Sequence, residues 1–454
     1  MHPARGCVYI KSLPLKEGTW MAYTDLLFVF GFLPIYTIII FLCRESWEKN
    51  LVSVVASLLF ICWTRPLYYL VVAADAALVY IAGHLKGRPR YNVIRYAVSA
   101  VVTLSVLPLA VLTVSEGTLP DCICAVGFVL MAARSYIYLK EEQSEKNAAD
   151  LAVYLISFEF MAISPLYSYS QIRDEIKNRK SAGLSMLSAG ISRFAGGLAA
   201  VTVLAYPLER IRAAALTGES LPWMNALIGA AAAAVCAYVA VTASLAMSEG
   251  LCLISGYRIK LENSAFLPRT LMAEHVEGVY PSAARALKKY LGGKKTSTLI
   301  ILSAVTCLVT GAFVGFGAGA AALLGIVCLA VLLQTAFETE RSVLSGVFSA
   351  LMLAAGFIIA ANGSLNGVME WFSGLNPSKY EFDMSYALFT ELKRSAVWAV
   401  LAILYISPLR IYLRAKLREA MSASETAYGG ARILDLVLCV LLLALSCVAM
   451  VSAV

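Results

Sequence analysis

Apolar runs, several of them long enough to cross a bilayer, recur from one end of this chain to the other. They cover roughly Leu26–Cys43, Leu51–Trp63, Leu67–Ile81, Ala97–Leu112, Cys122–Leu139, Leu151–Leu166, Leu187–Tyr206 and Met224–Met247. After a polar gap they resume at Leu299–Phe313, Ala318–Phe337, Val343–Ala361, Val397–Ile406 and Ile433–Val454. Hydrophobic residues make up 60% of the chain and charged residues 15%, against roughly a quarter charged in a soluble domain. One water-facing core cannot hide that much apolar surface, so the bilayer must be the solvent. The expected fold is an all-α integral membrane protein, a multi-pass helical bundle of about 10 to 13 membrane segments, some short, tilted or re-entrant. Residues 21–454 read as a single membrane domain. Residues 1–20 read as a polar N-terminal extension, with Met21 as the expected true start.

The charge pattern orients the bundle. Lys86, Arg88, Arg90 and Arg95 cluster between apolar runs, as do Arg410, Arg414, Lys416 and Arg418, whereas Ser115–Asp121 carries no Lys or Arg. Short basic loops stay cytoplasmic, which places the N-terminus outside. Clusters of this kind set topology beside lipid headgroups, so the net charge of +8 does not imply a nucleic-acid partner. Most of the eleven cysteines lie inside apolar runs and read as small hydrophobes. Cys122 and Cys124 have no accompanying His or second Cys pair, so neither a metal nor another cofactor is expected.

Inside the apolar runs, Asp75 and Arg134 are costly and should face the protein interior; a pairing between them is one open arrangement. No internal repeat is evident, which argues against a transporter built from inverted halves. The stretch Glu262–Lys295 is polar yet lies between membrane runs, as a cytoplasmic loop or as backbone lining a cavity. It holds His275, one of only three histidines; His2 falls in the extension, and His84 reads as an interfacial residue.

Several short motifs occur in a telling order. Leu26-Leu27-Phe28-Val29-Phe30-Gly31-Phe32-Leu33-Pro34 is followed by Lys49-Asn50-Leu51, Ala56-Ser57-Leu58-Leu59-Phe60, Trp63 and Pro66. Leu119-Pro120 opens a run; Ser164-Pro165-Leu166-Tyr167-Ser168-Tyr169, Tyr238, Gly256-Tyr257-Arg258 and Leu291-Gly292-Gly293 come later. Together they resemble the membrane-bound O-acyltransferase family, in particular the bacterial branch that O-acetylates alginate and D-alanylates teichoic acid. The resemblance covers nearly all of Met21 to Val454. It implies acyl transfer from a carrier thioester to a glycan hydroxyl in a bacterial plasma membrane. The implied partners are membrane lipid, an acyl carrier protein or acyl-CoA as donor, a glycan acceptor and a partner protein of a glycan-acylation system.

The same register shows departures. The family's Tyr-Phe-Asp-Phe-Ser-Gly-Tyr-Ser-Asp stretch reads Val239-Ala240-Val241-Thr242-Ala243-Ser244-Leu245-Ala246 here, without carboxylates. The family's intramembrane histidine falls on Val314, within Gly311–Gly315. Its first histidine lies close to His275, but matches it only with a gap. Acyl transfer to a hydroxyl needs a base, and imidazole suits because its pKa lies near neutrality; valine has no group to do this. Joint loss of these groups points to a divergent relative with degraded or absent catalysis. An active O-acyltransferase using His275 as its base is the alternative, with Glu274, Glu277, Tyr280 and Tyr238 as candidate cavity-lining residues. On the blander reading His275 is a solvated loop residue. A membrane transporter or flippase is the further alternative.

Overall fold

The computed structural model describes residues 22–453 apart from 65, 115–118, 143–144, 162, 180–181, 217–222, 260–270, 292–294, 312–317, 338, 363–383, 408, 410–411, 413–415 and 417–424. Val314, residues 1–21 and most of the second basic cluster lie outside the described residues. Within them the fold is helical, with no strand. A π-helical turn at Phe28–Phe32 leads into α1 (Leu33–Leu42), followed by α2 (Ser46–Thr64), α3 (Pro66–His84), α4 (Tyr91–Val114) and α5 (Leu119–Lys140). The short α6 (Ala148–Ile156) and α7 (Tyr169–Lys177) come next, then α8 (Leu184–Ala199), a π-helical turn and α9 (Tyr206–Leu216) as one run, and α10 (Trp223–Ile254). The remainder is α11 (Met272–Val279), α12 (Pro281–Leu291), α13 (Lys295–Gly311), α14 (Ala318–Ala336), α15 (Val343–Asn362), α16 (Tyr386–Ile406) and α17 (Glu425–Ala453).

Among the described residues, six helical stretches are long and apolar enough to span a membrane: Tyr91–Thr113, Ile123–Lys140, Leu184–Ala215, Leu227–Ile254, Val343–Ala360 and Leu434–Val451. Phe28–Leu42, Tyr68–His84 and Leu323–Ala336 are apolar but shorter. Large apolar side chains such as Ile35, Ile38, Phe41, Val397, Val400, Leu436 and Val448 point outward from the bundle. In water such a surface would drive aggregation; against lipid tails it is the solvated face. The chain thus forms a multi-pass helical membrane bundle.

The expected re-entrant segment is α6, α7 and the turn between them. Glu145, just before α6, pairs with Lys177 at the end of α7 at 2.9 Å, so the chain enters and leaves at the same end of the bundle. Between them Phe158 packs on Phe32 and Tyr36, with ring centroids 5.3 and 4.8 Å away, well inside the protein. Non-helical backbone survives at such depth only if its polar groups find partners. Here side chains from the surrounding helices supply them. Ser57 Oγ accepts from Phe158 N (2.8 Å), and Tyr23 Oη donates to the Phe158 carbonyl (2.6 Å). Ser248 Oγ donates to the Glu159 carbonyl (2.6 Å), and Arg134 to that of Phe160 (2.9 Å). Tyr280 Oη donates to the Ser164 carbonyl, and Ser282 Oγ accepts from Leu166 N (2.9 Å). Pro165 has no N–H to satisfy and keeps Ser164 out of a helix. A capping box between Ser168 and Gln171 then starts α7.

α10 is the central element and packs most closely on α8. The approach depends on glycine: a Cβ on Gly250 would lie 2.6 Å from Phe194 N and 2.7 Å from Gly190 O, both backbone atoms. Gly250→Ala is therefore expected to destabilise the protein by about 1–3 kcal/mol through overpacking. Gly196→Ala, where a Cβ meets nothing within 4 Å, should not. Thermal unfolding of the two variants in one detergent checks this contrast. α10 ends at Gly256, whose φ of 93° reverses the chain, with Tyr257 N donating back to the Cys252 carbonyl at 2.9 Å.

Candidate functional site

His275 is not a solvated loop residue. It lies on α11 and is 2% exposed. Its Nε2 is 3.0 Å from Tyr238 Oη, and the two rings meet edge-on with centroids 5.9 Å apart. Tyr238 sits midway along the 32-residue α10, itself buried, with Phe357 of α15 packed against it at 5.9 Å. Gln334 of α14 holds the start of α11: its Oε1 accepts from Met272 N at 2.7 Å, while its Nε2 donates to Ser349 Oγ at 2.9 Å. Residues of four helices thus surround one buried imidazole and its partner. When Tyr238 donates to Nε2, Nδ1 carries the ring proton; when Nε2 donates, Nδ1 holds the lone pair. Either way the hydroxyl fixes the ring plane, and a neutral imidazole can exchange a proton there.

The carboxylates beside His275 are engaged by cations. Glu274 pairs with Arg341, and Glu277 with Lys288 at 2.7 Å. The His275 Nε2 meets the Tyr238 hydroxyl rather than either adjacent carboxylate. Tyr280 is buried and spends its hydroxyl on the Ser164 carbonyl, bracing the re-entrant turn. None of Glu274, Glu277, Tyr280 or Tyr238 lines the pocket of about 270 Å³ at the charged end of the bundle, which Leu166, Gln171, Glu175, Arg258, Ser282 and Arg285 help to form. The Val239–Ala246 segment is buried except at the half-buried Thr242 and Ala246, and packs against α8: a Cβ on Gly197 would lie 2.6 Å from the Ala243 carbonyl. Small residues fill the space where the resemblance implied carboxylates.

Asp75 and Arg134 do face inward, but they pair elsewhere. Asp75 accepts from Ser105 Oγ at 2.6 Å, whereas Arg134 reaches the Phe160 carbonyl and Ser164 Oγ. The two stand on different helices, α3 and α5, and their positions in sequence do not reveal which partners each one takes. His84 is exposed at the end of α3, its Nδ1 2.9 Å from the Tyr80 carbonyl.

An extensive buried polar cluster among the described residues is not signalled by the sequence motifs. Arg179, wholly buried, donates to the Ser255 carbonyl (2.7 Å), Ser53 Oγ (2.8 Å), the Lys49 carbonyl (3.2 Å) and Tyr36 Oη (3.1 Å). Its guanidinium lies 3.7 Å from Glu159 Oε1 and 4.2 Å from the Tyr257 ring centroid. Glu159 in turn accepts from Tyr36 Oη (2.6 Å), Ser255 Oγ (2.7 Å) and Ser157 Oγ. The only available signals were a lone Glu inside the run Leu151–Leu166 and an Arg just beyond α7.

At the charged end, Lys86 lies in the turn between α3 and α4. Its Nζ donates to the Tyr138 carbonyl at 2.9 Å and sits 4.0 Å from the Tyr138 ring centroid. Burial lowers its pKa from 10.5 to about 8. Between those values the folded protein has released the proton that the unfolded chain still binds, so stability rises with pH across the window. Relative to Lys86→Met, the wild-type melting temperature should therefore increase between pH 8 and pH 10. Parallel curves for the two proteins would contradict this.

No family profile matches the chain. It is 24% identical over 255 residues to a Pseudomonas fluorescens protein described as "Probable alginate O-acetylase AlgI". The match takes in 54% of this chain and 50% of that protein, so the chain spans about half the length of its relative. Architecture and comparison together describe a multi-pass helical membrane protein with acyltransferase-like similarity over half of its length.

Proposed function

We propose that the chain is a membrane O-acyltransferase of the polysaccharide-acetylating type, with His275 as its general base and Tyr238 as the residue that holds the imidazole. The observation that carries this reading is the buried His275–Tyr238 bond midway along α10. A buried imidazole is costly unless a polar partner holds it, and here that partner is a tyrosine hydroxyl.

In the proposed reaction the acceptor hydroxyl gives its proton to the neutral imidazole as its oxygen attacks the thioester carbonyl. The tetrahedral intermediate collapses to the ester and expels the thiolate, which takes the proton back from the imidazolium. The donor is a thioester on an acyl carrier protein or coenzyme A, and the acceptor is a cell-surface glycan, in keeping with the alginate O-acetylase similarity. The same fold without the chemistry, binding lipid, glycan or a partner protein, is the second reading. It is favoured by the packed, carboxylate-free Val239–Ala246 segment. Membranes containing the chain, given labelled acetyl thioester and de-acetylated polysaccharide, separate the two. Ester formation above that of membranes lacking the chain is expected. Its absence, at full protein abundance and with donor binding intact, would leave the binding role.

A further inference from the structure

The buried carboxyl groups of this bundle are answered by cations or by N–H donors, with one exception. Glu159, Glu209 and Glu249 face Arg179, Arg212 and Arg193, and Glu145 faces Lys177. Asp150 accepts from the Asn50 amide at 2.8 Å, and Glu141 from Ser170 N at 3.1 Å. The exception is Asp75. It stands at the middle of α3 and is 3% exposed; Val72 and Val79, on the same face, are wholly buried. α2, α4, α5 and α6 pack against α3. Among the described residues none of these helices brings a charged or titratable side chain close enough to act on Asp75. Its one hydrogen bond there is with Ser105 of α4, Oδ2 to Oγ at 2.6 Å. An ionised carboxylate offers about four acceptor positions. One hydroxyl would leave most of them unanswered inside an apolar bundle, where a lone charge is far costlier than a neutral acid.

The Ser105 hydroxyl has a second neighbour. Its Oγ also lies 2.9 Å from the Val102 carbonyl, one turn back on α4. A serine hydroxyl has one proton and two lone pairs. A carboxylate and a carbonyl are both acceptors, so with Asp75 ionised the single proton is shared between two oxygens. With Asp75 protonated, both contacts are full hydrogen bonds: the acid O–H donates to Ser105 Oγ, and the Ser105 O–H donates to the Val102 carbonyl. We propose that Asp75 is a proton-binding site, held as the neutral acid in the seam between α3 and α4 and relaying a hydrogen bond through Ser105 to the α4 backbone. The proton count at Ser105 and the lack of a cation lead to the same protonation state by separate routes. Ser105 lies within the membrane-spanning stretch Tyr91–Thr113, so the proton sits inside the bundle. The site involves neither α10 nor α11 and is independent of the His275–Tyr238 reading.

Infrared spectra of the full chain test this, taken near neutral pH in a detergent that has no ester or carboxyl group. A neutral carboxylic acid has a carbonyl stretch at higher frequency than the carboxylate and amide bands, and the stretch moves down when the acid proton is exchanged for deuterium. The wild type should show such a band, and Asp75→Asn should lose it. The asparagine keeps the shape of the side chain and can donate from Nδ2 to Ser105 Oγ, so its melting temperature should stay close to that of the wild type. Ser105→Ala takes away the acceptor of the acid O–H and should move the band to higher frequency. Absence of an acid band from the wild type would overturn the proposal. A band of equal intensity in wild type and Asp75→Asn would overturn it as well, since the proton would then sit on another carboxyl group. Should Asp75→Asn fail to fold, Ser105→Ala still decides: a band that does not move when Ser105 is removed does not belong to Asp75.

Discussion

Replacing His275 by alanine is expected to lower acyl transfer by about 10²- to 10⁴-fold, the usual worth of general-base assistance, while leaving the protein folded in the membrane. The reasoning is chemical before it is positional. A sugar hydroxyl is a poor nucleophile until a base takes its proton, and neutral imidazole does so near pH 7. His275 is the one histidine of the described chain that is buried, and Tyr238 fixes its ring at 3.0 Å. Glu274 and Glu277 do not offer the same service, because each carboxylate is engaged by a cation, Arg341 and Lys288 respectively. Tyr238→Phe should show a smaller loss, about tenfold, since it removes one hydrogen bond worth roughly 1–1.5 kcal/mol and keeps the ring packed against Phe357. Labelled ester formed per unit of membrane protein is the measurement. Full transfer by His275→Ala at wild-type abundance would remove His275 from the chemistry.

The second large effect concerns stability. Arg179→Met should destabilise the protein by about 3–5 kcal/mol, because it leaves the Glu159 carboxylate buried without its cation. The loss should exceed that of an ordinary core substitution. Arg179 ties together the Lys49 carbonyl and Ser53 on α2, Tyr36 on α1, the Ser255 carbonyl after α10 and the re-entrant turn through Glu159. The double variant Arg179→Met with Glu159→Gln should recover much of the deficit, since a neutral amide can still accept from Tyr36 and Ser255. Melting temperatures of the three proteins in one detergent form a double-mutant cycle. Additive losses would mean that the two groups do not act as a pair.

Much of the architecture was legible because its cause is local. Apolar runs predict helices in lipid whatever they pack against, and Ser164-Pro165 together with the Ser168–Gln171 box marks a break and restart of helix. Gly256 ends α10 because its φ of 93° favours glycine. The site was legible only as a shortlist. His275 and Tyr238 were both on it, but nothing in the sequence joins them, for they are 37 residues apart. Arg179 and Glu159 were not on it, because nothing in the sequence joins a lone Glu inside the run Leu151–Leu166 to an Arg beyond α7.

The sequence by itself determined the solvent, and with it the helical class and the requirement that every buried polar group find a partner inside the protein. It also determined which chemistry was scarce, since only three histidines exist to serve as a base. Only the tertiary structure decided the pairings. Glu274 and Glu277 stand beside His275 in sequence but reach Arg341 and Lys288, while Tyr238 arrives from another helix. Asp75 takes Ser105, and Arg134 takes the carbonyl of a re-entrant turn. The physical reason is that burial is a property of composition along one helix, whereas hydrogen bonding inside a bundle depends on which helices touch, at what depth and on which face.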